Sequence, residues 1–89
     1  MEAKICQIIR AHPEYRDILK NALKIEEVPP NDFAREYGWE WHEVKGHPGR
    51  LTKLVGEGIV RVTYKSHRYM HYKLSDREAV RNALKTCPL

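Results

Sequence analysis

Apolar residues recur at helical spacing through the first two dozen positions. Ile5, Ile8 and Ile9 make one set; Tyr15, Ile18, Leu19, Ala22 and Leu23 make a second, with the i, i+3, i+4, i+7 stripe of an amphipathic helix. Helices are expected at about Glu2–Ala11 and Glu14–Lys24, and His12-Pro13 divides them because proline disfavours helix at the residue before it. A single kinked helix is the alternative. Pro29-Pro30-Asn31-Asp32 opens a third helix, since proline suits the first helical position and Asp32 suits the positive end of the dipole. Phe33, Ala34 and Tyr37 are expected to point inward there, with Gly38 as the stop. WEWHEVKGH then predicts a turn, with one helical turn through Glu40 to Val44. Pro48 opens the next helix, Leu51, Leu54 and Val55 give it an apolar face, and Gly58 closes it. Ser75-Asp76-Arg77-Glu78 fits a capping box and starts a last helix to about Lys85, whose inner side is Ala79, Val80, Ala83 and Leu84.

Between these helices the period changes to two. The stretch VTYKSHRYMHYKL predicts a hairpin. With Ser66-His67-Arg68 as the loop, Val60 faces Leu74, Val62 faces Tyr72 and Tyr64 faces Met70, so that every inward position meets an inward partner. The outward pairs become Arg61 with Lys73, Thr63 with His71 and Lys65 with Tyr69. Three-residue loops favour glycine at the third place, where this chain has Arg68, so a longer loop is the alternative. Two strands alone are marginal and need a helical layer beneath them. The fold class expected is therefore α+β, mostly helical. The 89 residues form one domain with one small core and little room for a large substrate pocket.

Charge changes this picture by its distribution rather than its total of +4. Residues 1 to 32 carry a net of −1, whereas residues 44 to 73 carry seven Lys/Arg against Glu57 alone, a net of +6. Four of the five histidines (His42, His47, His67 and His71) lie in or beside that basic region. A localised positive surface is the footprint of nucleic-acid binding, with a solvated basic face as the plain alternative. Trp39 and Trp41 are two apart and diverge on any regular element, so one is expected in the core and the other exposed. No zinc-ligand spacing is present, and no nucleophile, base and orienter group together; neither a metal, a cofactor nor an enzymatic activity is expected. Cys6 reads as a buried thiol and Cys87 as a loose tail thiol, a disulfide between the ends being the alternative. No apolar run reaches a membrane span and no signal peptide is visible, which points to a cytoplasmic, nucleoid-associated protein.

The segments PPNDFAREYG, RLTKLVGEGIV and RVTYKSHRYMHYKL together resemble the winged helix-turn-helix superfamily. The most specific part is Gly58 followed by Ile59 and Val60 entering a basic hairpin, and the likeness covers about residues 28 to 74. It implies N-terminal helices at 1–27, a helix-turn-helix at 28–58, a two-stranded β-hairpin wing at 59–74 and a flanking C-terminal helix at 75–89. Nineteen residues separate Gly38 from Gly58, more than in the shorter members, which leaves the start of the recognition helix open.

The resemblance further implies double-stranded DNA as partner, with the helix near residues 47–57 in the major groove. His47, Arg50 and Lys53 are its expected contacts; Arg50 is the expected base reader because its planar fork fits two guanine acceptors, and Lys53 the expected phosphate contact. Arg61, Lys65, Ser66, His67, Arg68 and Lys73 are the expected wing and backbone contacts, with Trp41, His42 and Lys45 flanking. The settings implied are a transcription regulator or the DNA-contacting module of a replication or remodelling ATPase, as a monomer or as a homodimer through the first and last helices. The alternatives are a protein-interaction module, suggested by Tyr64, Tyr69, Tyr72 and the two tryptophans, and an RNA binder.

Overall fold

The computed structural model describes residues 1–27 and 36–87. The first helix, α1, runs Glu2–Ala11 and buries Ile5, Ile8 and Ile9. His12 is extended, as a residue before proline should be, and α2 follows as a separate helix over Glu14–Glu27. Most of the expected third helix, including Phe33 and Ala34, lies outside the described residues; Glu36 and Tyr37 at its end are helical. Tyr37 was expected inward and is instead 53% exposed. Gly38 ends that segment at φ +107. A Cβ there would sit 2.4 Å from Thr63 Oγ1 and 2.8 Å from the Tyr72 carbonyl, so the close approach of the hairpin demands glycine.

A 3-10 turn covers Trp41–Glu43, and α3 runs Pro48–Gly56. Strands β1 (Val60–Lys65) and β2 (Met70–Leu74) form an antiparallel pair, and α4 (Arg77–Thr86) closes the chain. The cap of α4 is Asp76 rather than the expected Ser75: its Oδ1 accepts from the Ala79 amide at 3.0 Å. Either side chain can cap, and the chain uses the one that puts Ala79, Val80 and Ala83 inward.

The hairpin keeps the expected register only for Val60 with Leu74, Arg61 with Lys73 and Val62 with Tyr72. A bulge at Thr63 then places Tyr64 opposite His71 and Lys65 opposite Met70, so the expected Tyr64–Met70, Thr63–His71 and Lys65–Tyr69 pairs do not form. The extra residue is held by its own hydroxyl, which donates to the Tyr37 carbonyl at 2.7 Å. The tip is accordingly a four-residue loop, Ser66–Tyr69, and needs no glycine at Arg68. Its ends are tied by Ser66 N–H to the Tyr69 carbonyl (2.8 Å) and Tyr69 N–H to Ser66 Oγ (3.1 Å). Trp39 adds a one-residue third strand beside β2, exchanging both backbone hydrogen bonds with Tyr72 at 2.8 and 2.9 Å and stacking on its ring at 5.6 Å.

Helices α1, α2 and α4 pack together; β2 lies on α2, and α3 packs on β1. The core joins both halves through Trp39, Val44, Leu51, Leu54, Ile59, Val60, Tyr72 and Leu74. One core position is charged. Glu26 is 1% exposed. Its Oε2 accepts from Trp39 Nε1 and from the Leu74 amide, each at 2.8 Å, while Oε1 lies 3.3 Å from Arg77 Nε. Position 26 continues the Tyr15, Ile18, Leu19, Ala22 stripe, which is why α2 extends past Lys24. Cys87 is buried rather than loose, held by its amide on the Ala83 carbonyl, and both cysteines are free thiols. A hydrogen bond with Cys87, and after it burial, holds the Cys6 thiol above its ordinary range.

Removing the buried carboxylate strands two buried donors, whereas the half-exposed Arg77 turns to water. Glu26→Ala is expected to lower stability by on the order of 3–5 kcal/mol, read as a fall in the urea midpoint; a loss below about 1 kcal/mol would contradict this role.

Candidate functional site

One candidate surface lies between α3 and the hairpin. Leu51 and Leu54 anchor α3 in the core, which leaves Pro48, Gly49, Thr52, Lys53 and Gly56 as its exposed ridge. The helix starts at His47, whose Nδ1 accepts from the Gly49 amide at 3.2 Å. That ring is therefore a helix cap, oriented with Nε2 as its outer nitrogen. Thr52 donates its hydroxyl back to the Pro48 carbonyl at 3.0 Å.

Facing this helix is one side of the hairpin. Val62, Met70 and Tyr72 border an apolar groove of 180 Å³ with Thr52 and Val55 of α3. Toward the tip the groove widens into an open cleft of about 370 Å³. Trp41 and Pro48 form one wall, Lys65 through Tyr69 the other, and Met70 and Tyr72 the floor. Lys65 reaches this side only because of the bulge: a regular strand would have pointed it away with Arg61 and Thr63. Ser66, His67 and Arg68 belong to the same wall, with Ser66 closing the loop rather than standing as an unengaged donor.

The remaining expected contacts divide. Arg61 and Lys73 face each other across the strands, out of phase with Val62 and Tyr72, and so lie on the opposite face of the hairpin. Arg50 and Lys45 border a depression on the α2 side of α3, where Arg50 lies 3.6 Å from Glu14. Lys53 lies 3.2 Å from Glu57, which also approaches Lys4 at 4.0 Å. His42 sits 3.2 Å from the Glu40 carboxylate and edge-on to Trp41. Trp39 is fully buried and Trp41 is 47% exposed, the division expected of the pair.

The electrostatics follow from these pairings. Ion pairs engage Lys4, Arg50, Lys53, Arg77 and Arg81 with glutamates of the helices. No Asp or Glu lies between Gly58 and Ser75. Among the described residues, Arg61, Lys65, Arg68 and Lys73 make no ion pair, so the hairpin keeps its positive charge. A second cleft, of about 310 Å³, lies on the far face of the hairpin beside Tyr37, Tyr64 and His71. His71 Nδ1 is 3.2 Å from the Gly38 carbonyl, which makes that nitrogen the protonated donor.

Within the α3 ridge, Thr52 and Gly56 were not among the residues expected to contact a ligand, whereas the missing side chain of Gly49 reads from the sequence as room for a phosphate strand to approach. The signal for the ridge as a whole is spacing alone: positions 49, 52 and 56 fall opposite Leu51 and Leu54. Pro48 carries no charge and was likewise passed over, and Tyr69 was expected only as part of a protein-docking surface. No protein-family model matches the chain, and neither the curated proteins nor the solved structures contain a significant match.

Lys45, which flanks the helix start, holds φ at +56, the left-handed conformation that costs an L side chain energy. Lys45→Gly should raise stability by up to about 1 kcal/mol, whereas Lys45→Ala should not, as thermal melts of the two variants will show. Equal melting points would contradict strain at this position.

Proposed function

We propose that the chain is a winged helix-turn-helix domain that binds double-stranded DNA. The order of elements supports the fold: a single-residue strand at Trp39, a 3-10 turn, α3, and a basic hairpin packed on α3. One observation carries the function. The hairpin tip, free of acidic residues, presents Lys65 and Arg68 across a cleft from the exposed start of α3. A duplex lies against this side with the α3 ridge toward the major groove and the tip on the flanking backbone. Gly49, Thr52 and Gly56 carry little or no side chain, so the helix backbone approaches closely.

The pairings modify the mode of recognition. Arg50 must exchange Glu14 for a base, and Lys53 must exchange Glu57 for a phosphate. Both pairs are half-exposed and weak, so the exchange is feasible, but neither side chain is held in advance for a base edge. The reading favoured is affinity driven by phosphates with shallow sequence preference. A transcription regulator and the DNA-contacting module of a replication or remodelling ATPase both fit such a surface. The second cleft, with Tyr37 and Tyr64 more than half exposed, favours protein docking as the alternative.

Anisotropy titration with a labelled duplex tests the proposal. With Lys53, Lys65 and Arg68 on phosphates, log K falls against log salt with a slope of about −2.7, roughly a 40-fold loss between about 50 and 200 mM salt. Lys65→Ala and Arg68→Ala each reduce the slope by about 1 and weaken all sequences alike. Salt-independent binding, or none at low salt, overturns the proposal.

A further inference from the structure

The cleft at the hairpin tip is more than a basic patch, because aromatic rings form part of both its walls. Trp41 stands on the α3 side, 47% exposed, and Tyr69 on the hairpin side, 52% exposed. Lys65 and Arg68 flank Tyr69, and the ties between Ser66 and Tyr69 fix the loop that carries all three. The Met70 and Tyr72 floor is apolar, with the Tyr72 hydroxyl turned onto the Met70 sulfur at 2.8 Å. Exposed aromatic faces set among cations are the arrangement that holds single-stranded nucleic acid, through base stacking plus phosphate attraction. A base inside a continuous duplex cannot use such a cleft, since its neighbours already cover both faces.

We propose that the cleft between Trp41 and Tyr69 receives an unpaired nucleobase, so that the domain prefers a junction, where a strand leaves the duplex, over continuous double-stranded DNA. This rests on the duplex-binding reading above and specifies its substrate. The α3 ridge engages the paired part, while the first unpaired base stacks in the cleft and its phosphate meets Lys65 or Arg68. No bond is made or broken. The acid-free walls favour a nucleotide over a basic peptide segment, which would meet like charge there.

Three DNA probes of one sequence test this by anisotropy: a blunt duplex, the same duplex with a single-stranded overhang, and that duplex with an abasic overhang. The overhang is expected to bind about tenfold tighter than the blunt duplex, and the abasic overhang to lose that gain, because one stacked base is worth roughly five- to 150-fold. Trp41→Ala and Tyr69→Ala should abolish the preference, so that each variant binds the overhang duplex no more tightly than it binds the blunt duplex, and Tyr69→Phe should retain it. Both side chains are about half exposed, so the variants should keep the wild-type circular dichroism spectrum and melting point. If blunt and overhang duplexes bind equally, or the preference survives in both alanine variants, the junction proposal falls and duplex binding stands. Binding to the overhang probe alone supports the cleft and removes the duplex reading, and binding to neither overturns both.

Discussion

The buried carboxylate of Glu26 joins the parts of this fold that periodicity alone would leave separate. Taking a charge out of water is expensive unless its partners are in place. Here they come from two distant stretches of chain: the Trp39 indole, and the Leu74 amide with the Arg77 guanidinium three residues on. One group on α2 thus fixes the third strand, the end of β2 and the start of α4. Beside it Arg81 pairs with Glu27, one turn further along α4. The carboxylate gives the packing of the hairpin on the helices a direction, which hydrophobic burial alone does not specify.

A second consequence concerns charge. Four glutamates of the helical layer find cations close by: Glu14 takes Arg50, Glu57 takes Lys53 and Lys4, and Glu26 and Glu27 take the arginines of α4. The hairpin has no acidic residue to offer its own cations. Folding therefore concentrates positive potential at the tip, and the Thr63 bulge turns Lys65 onto the side that faces α3. A like-charge pair at Arg61 and Lys73 is tolerated at the base of the hairpin, where water screens it.

Much of this was legible in the residues. Ile5, Ile8 and Ile9, the Pro48 start and the Gly58 stop place their helices because apolar spacing and backbone constraint agree. The first three pairs of the hairpin follow from alternation. The bulge does not, since the apolar alternation before Thr63 fits either register, and a hydrogen bond to Tyr37 decides between them. Glu26 was hidden for a related reason: a charged residue on an apolar stripe looks like the end of the helix until its partners are known. The division of the cations was not readable either. Arg50 and Lys53 share a helix face by spacing, but Glu14 lies on another helix and draws Arg50 toward α2. The exposed end of Tyr37 and the cap at Asp76 turned on single-residue shifts that local rules do not resolve.

The central proposal is that α3 and the hairpin tip form one DNA-facing side, with α4 packed on α1 and α2 away from it. Amide chemical-shift mapping of the labelled protein against a DNA duplex tests that most directly. The expected result is that the shifted resonances cluster at residues 41–56 and 65–70 and that α4 stays silent. Shifts centred on α1 and α4, or on Tyr37 and Tyr64 at the far face of the hairpin, would contradict it.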